Sequence, residues 1–200
     1  MGETQVFQPL TREDKITVVL YRIGIVLSAI IISALAILLT TASAPAAAGV
    51  SLATDILAYG LYISVGMSVF FIHLYVGVFK RYLKNLYFIS LGCLVVLLFI
   101  GKGSPSAVFA HGAYGPLLLL PIAGCLGFVT AKEAFCFKLF EGYLLAMLMP
   151  LYLLMVSGSF LSRGGATSGL VLIAAMLVFF TVRKVSMPLA YDIGDKSAYQ

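Results

Sequence analysis

The chain has 200 residues, of which 62% are hydrophobic and only 10% charged, whereas soluble domains hold about 45–50% apolar and about 25% charged residues. That balance excludes an ordinary water-soluble domain and predicts an integral membrane protein. The formal charge of +5 does not point to nucleic acid, because the basic residues stand in short groups at the ends of apolar runs, where membrane topology explains them.

Residues 1–15 are polar and form an N-terminal tail, with Pro9 and Thr11 suited to a turn and a helix cap. A first span is expected over about 16–41, since crossing a bilayer takes roughly 20 residues at about 1.5 Å each. The charged start, the apolar run and Ala42-Ser43-Ala44 superficially match a cleaved signal. The run from Ile16 to Ala42 exceeds the roughly 7–15 residues of a signal core, so a retained helix is expected. An Ala-rich stretch with Pro45 and Gly49 ends it. Further spans are expected over about 55–79, closed by Lys80, Arg81 and Lys84, and over about 85–100. The glycine-rich stretch 101–115, with Pro105 and His111, reads as turn material. Spans over about 116–131, 139–161 and 167–182 follow, and 183–200 forms a polar C-terminal tail. Pro150 inside the fifth span removes a backbone hydrogen bond and predicts a kink.

The predicted fold is therefore all-α, a six-helix polytopic bundle whose termini share one side. Arg12, Lys15, Arg22, Lys80, Arg81, Lys84, Lys132, Lys138, Arg183, Lys184 and Lys196 fall on that side, leaving Lys102 and Arg163 on the other. Basic residues of short loops are retained in the cytoplasm, so both termini are expected there.

Two stripes of small residues, Gly60, Ser64 and Ser68 in the second span and Ala123, Gly127 and Ala131 in the fourth, offer close helix packing. They serve either packing within the bundle or contact with another subunit. Cys93, Cys125 and Cys136 are odd in number and lack paired spacing, which argues against a disulfide framework. No metal-ligand spacing, phosphate loop or catalytic constellation is present, so no metal, cofactor or catalytic residue is expected.

Ionisable groups within spans are the leads, because charge in hydrocarbon is expensive unless paired or hydrated. Arg22, His73, Glu133, Cys136 and Glu141 all fall near the basic end and form a candidate polar cluster. In it Arg22 would neutralise a glutamate, and His73 would exchange a hydrogen bond. Plainer readings stand beside this one. Arg22 would snorkel to the headgroups, Glu133 and Glu141 would pair with Lys132 and Lys138 at the interface, and His73 would be a packing residue.

The stretch Lys132-Glu133-Ala134-Phe135-Cys136-Phe137, with Glu141, Leu144-Leu145 and Pro150, the pair Tyr21-Arg22 and the run Asp192-Ile193-Gly194-Asp195-Lys196-Ser197, resembles a family of integral membrane proteins with a domain of unknown function, found mainly in cyanobacteria and plastids. The resemblance implies a plasma or thylakoid membrane and no particular reaction. The expected partners are the lipid bilayer and other membrane-protein subunits, in a non-enzymatic accessory or assembly role. The alternative is a small transporter or channel that uses the polar cluster as a gate or proton relay.

Overall fold

In the computed structural model the described residues are 11–42, 48–74, 76–111 and 114–193. The expectations placed on the first ten residues, on the bend around Pro45 and on the tail with Lys196 lie outside them. The described chain folds into nine helices: α1 (Arg12–Thr41), α2 (Ala48–Phe71), α3 (Gly77–Ile100), α4 (Pro105–His111), α5 (Tyr114–Leu118), α6 (Leu120–Phe137), α7 (Phe140–Ser157), α8 (Arg163–Val185) and α9 (Ala190–Ile193). Six of these, α1, α2, α3, α6, α7 and α8, are long and apolar enough to cross a membrane.

The distribution of side chains matches lipid as the solvent. Ile30, Ile37, Ile56, Ile63, Phe99, Phe135 and Met147 are more than half exposed, an arrangement that water would penalise as a large apolar patch. The interior holds Tyr21, Ile25, Val65, Val69, Leu126, Leu145, Leu177 and Phe180. α1 lies between α2 and α8, α6 packs on α7 and α3, and α7 reaches α8.

Small residues set the closest approaches, as expected where lipid supplies little drive for helix association. The α2 stripe faces α1. Gly60 lies under Ile31, the Ser64 hydroxyl is 2.9 Å from that of Ser28, and a side chain at Gly24 would sit 2.6 Å from the Ser64 carbonyl oxygen and 2.8 Å from the Ser68 nitrogen. The α6 stripe faces α7 through Gly127, where an added Cβ would be 3.3 Å from Ala146 Cα. Ala123 and Ala131 are half-buried. The two stripes thus serve separate internal seams and do not meet.

Several boundaries differ from the sequence reading. α2 ends at Phe71 rather than at residue 79, and α3 starts at Gly77 rather than at 85. Lys80, Arg81 and Lys84 therefore occupy the first turns of α3. Hydropathy marks where lipid begins, whereas basic side chains are good helix formers and continue the hydrogen-bond ladder into the headgroups. For the same reason α1 begins at Arg12, four residues before Ile16. There Thr11 accepts from the Asp14 N–H while Asp14 accepts from the Thr11 N–H, a reciprocal cap. α8 likewise runs through Arg183 and Lys184 instead of stopping at 182.

The stretch 101–115, expected to be a turn, contains α4 and the start of α5. The fourth span starts at Leu120 rather than at 116, with Pro121 in its first turn. Helix does not continue from α6 into α7, because Lys138 adopts a left-handed conformation (φ 56°) and ends α6. Pro150 lies inside α7, which remains helical on both sides of it.

A candidate functional site at the basic end of the bundle

On α1, α6 and α8 the buried stripe runs into a charge at this end. On α1 Val18, Tyr21, Arg22, Ile25 and Ala29 share the inward face. On α6 the inward face runs through Ile122, Leu126, Val129 and Thr130 to Glu133, and on α8 through Ile173, Leu177 and Phe180 to Lys184. These steps of three and four residues are those of a single helical face. Glu133 and Lys184 are completely buried, and Arg22 and Asp192 nearly so.

Glu133 is the hub. Its Oε1 accepts from the Tyr21 hydroxyl at 2.6 Å and from Lys132 Nζ at 2.7 Å, and its Oε2 is paired with Lys184 Nζ. Lys184 is also paired with Asp192 Oδ1, and its ammonium lies 3.8 Å from the centre of the Phe137 ring, close enough for a cation–π contribution. Arg22 donates through Nε (2.7 Å) and Nη2 (2.6 Å) to Asp192 Oδ2. The rest of its guanidinium is bonded to the carbonyls of Val185, Met187 and Pro188, at 3.2, 2.7 and 3.0 Å. The chain after α8 therefore folds back as a strap, and Asp192 on α9 closes the network.

The sequence-based cluster comes apart into neighbouring units. Arg22 pairs with Asp192, not with a glutamate, so it neither snorkels nor plays the expected role. Glu133 does pair with Lys132, but in the interior rather than at an exposed interface. Glu141 takes two bonds from Arg183 Nη1, at 2.7 and 2.8 Å, and not from Lys138. Cys136 is exposed beside the network. His73 joins its edge one helical turn from Tyr21, with Nε2 3.2 Å from the Thr17 hydroxyl oxygen. The same hydroxyl lies 3.0 Å from the carbonyl oxygens of Glu13 and Asp14. Burial, reinforced by Lys132 and Lys80, holds the His73 imidazolium below the usual histidine range.

Lys184 and Asp192 are the residues that sequence reasoning missed, because a hydropathy boundary at 182 assigned both to a solvated tail. The signal was present: Lys184 continues the 173, 177, 180 stripe of α8. Asp192 is an acid placed shortly after that basic helix end.

The opposite end of the bundle is built differently. Asp55, also buried, accepts from the Ser106 N–H at 2.7 Å and the Ser104 hydroxyl at 2.6 Å, and Ser51 is 2.7 Å from Ser106. Asp55 lies inside α2, not at its start as expected, and its carboxylate covers the first turn of α4. Arg163 reaches from α8 to the Ala42 carbonyl, at 3.0 Å. Among the described residues no group of three His, Cys, Asp or Glu side chains converges to hold a metal.

Six apolar helices, a lipid-compatible exterior and an ionic core near one end define a polytopic helical membrane protein. The family model described as uncharacterized integral membrane protein (DUF2301) matches residues 67–200, and the chain belongs to that family. The match covers α3 to α9 and the last turn of α2. No curated protein and no solved structure matches.

Proposed function

We propose that the protein is a non-enzymatic accessory or assembly subunit of a membrane complex, with both termini in the cytoplasm or its plastid equivalent and a photosynthetic plasma or thylakoid membrane as its setting. The excess of Lys and Arg at the network end supports the orientation, and the resemblance of the Lys132–Phe137 and Asp192–Ser197 stretches supports the setting. The observation that carries the functional reading is an apolar groove of about 500 Å³ on the lipid-facing side of α1 and α8.

The groove follows α1 from Val26 to Ile37, about 16 Å at about 1.5 Å per residue, with Ala29, Ser33 and Ala34 facing Val178, Thr181 and Val182 of α8. The hydroxyls of Ser33 and Thr181 are bonded to carbonyls within their own helices, which leaves the groove apolar. Ala29, Ser33 and Ala34 let a second backbone approach closely at the middle of the groove, between Val26, Ile30 and Ile37, so the occupant proposed is one transmembrane helix of another subunit. By contrast, Arg22, Glu133, Lys184, Asp192, Glu141 and Arg183 are engaged in internal pairs. The transport alternative needs a polar path between the two ends; the described core between them combines Ile25, Val65, Leu126 and Leu177 with the hydroxyls of Ser28, Ser64 and Ser68, which are bonded to one another or to helix carbonyls.

A photo-crosslinking side chain at Ala34 in native membrane tests this reading. The expected result is an adduct of discrete mass with one identified membrane protein, lost when Ala29→Phe fills the groove of a protein that still folds. Adducts with lipid alone would contradict it. Proteoliposome flux that is abolished by Glu133→Gln would favour transport.

A further inference from the structure

The strap makes one carboxylate bridge two cations, which is how a receptor for an oxyanion is built. Asp192 Oδ2 takes both near donors of the Arg22 fork, and Oδ1 takes Lys184. A guanidinium fork beside an ammonium suits carboxylate and phosphate oxygens alike. Among the described residues the buried cations Arg22, Lys132 and Lys184 pair with two carboxylates, Glu133 and Asp192, with Tyr21 and Phe137 beside them.

Without Asp192, three cations would share a single carboxylate, and such a site beside lipid demands another anion. The strap is short, and its hold on α1 is concentrated on one side chain: α9 has four residues, and every hydrogen bond described for the Arg22 side chain goes to Asp192 or to the chain at 185–188. The same end carries most of the chain's Lys and Arg, so the phosphates of anionic lipids concentrate there.

We propose that Arg22 and Lys184 form an anion site for a phosphate group, and that Asp192 is its built-in occupant, displaced when a phosphate binds. The source of the phosphate is an anionic lipid headgroup or the free ion. Phosphate binding and strap release are one equilibrium, so the ligand acts only through its preference for the open strap.

Backbone hydrogen exchange of residues 186–193 in nanodiscs reads this equilibrium. The full chain is compared in phosphatidylcholine alone, in phosphatidylcholine with phosphatidylglycerol, and in phosphatidylcholine with inorganic phosphate, at one pH and ionic strength. The expected result is about tenfold faster exchange of the strap with phosphatidylglycerol or with phosphate. The arm that responds names the source. In Asp192→Asn, which weakens the internal competitor, less phosphatidylglycerol or phosphate should give half of the maximal effect. Unchanged exchange in both arms overturns the proposal, and so does a half-effect concentration that Asp192→Asn leaves where it was. If Asp192→Asn does not fold, Asp192→Glu, which keeps the charge but shifts its reach, must move that concentration in its place.

Discussion

At the basic end Glu133 and Asp192 are held by Arg22, Lys132 and Lys184, whereas at the opposite end Asp55 is held by serine hydroxyls and one backbone N–H. The first set of partners comes from α1, α6, α8 and α9, so it joins the two ends of the described chain. The second ties α2 to the start of α4, some 50 residues apart in sequence. Trimming a carboxylate bonded to neutral donors leaves only those donors unpaired. A carboxylate inside a set of cations is coupled to all of them, because removing one charge strands the others where water cannot reach. The basic end is therefore expected to govern the stability of the whole bundle, and the serine end only that of its connection.

The sharpest way to break this contrast is Arg22→Ala. It leaves Asp192 with Lys184 alone and frees three strap carbonyls, and a cost of about 3 kcal/mol is expected for a buried pair cut on one side, measured by thermal unfolding in detergent. A variant that inserts and melts like the parent would show that the network is ornamental. Asp55→Ala should cost less, about 1–3 kcal/mol, by leaving the Ser106 N–H and the Ser104 hydroxyl without their acceptor. Its loss of exchange protection should be confined to α4 and the start of α2.

A smaller effect is expected from pH. His73 lies between α2 and α3, and burial with Lys132 and Lys80 holds its pKa below the ordinary value. The unfolded chain thus binds the proton more readily, so the His73 contribution is complete above the ordinary pKa of about 6.5 and is lost as pH falls below it. Melting temperature should decline on acidification through that range, and His73→Gln should flatten the decline. Smallest of all should be Glu141→Gln. Its partner Arg183 has a side chain 44% exposed, so a loss of about 1 kcal/mol or less is expected.

Much of the architecture was legible because lipid imposes long apolar runs that sequence displays directly. The six spans and the Thr11 cap can be read from residue types. The turn at Lys138 was not legible, because a left-handed lysine carries no compositional mark of the kind that glycine gives. Nor was the network's true membership. Arg22 and Glu133 stood out as charges within apolar runs, but Lys184 and Asp192 looked solvated, since hydropathy averages over a window and cannot show that the strap folds back. Helical periodicity carried past the hydropathy boundary would have placed Lys184 on the buried face of α8.

Arg22 and Asp192 act as one buried unit that joins the first span to the strap. A double-mutant cycle with Arg22→Gln, Asp192→Asn and the pair, read by unfolding of the full chain in bilayer discs, measures this directly. A coupling energy of about 2 kcal/mol or more is predicted for so close a charge pair. Additivity within about 0.5 kcal/mol would contradict it.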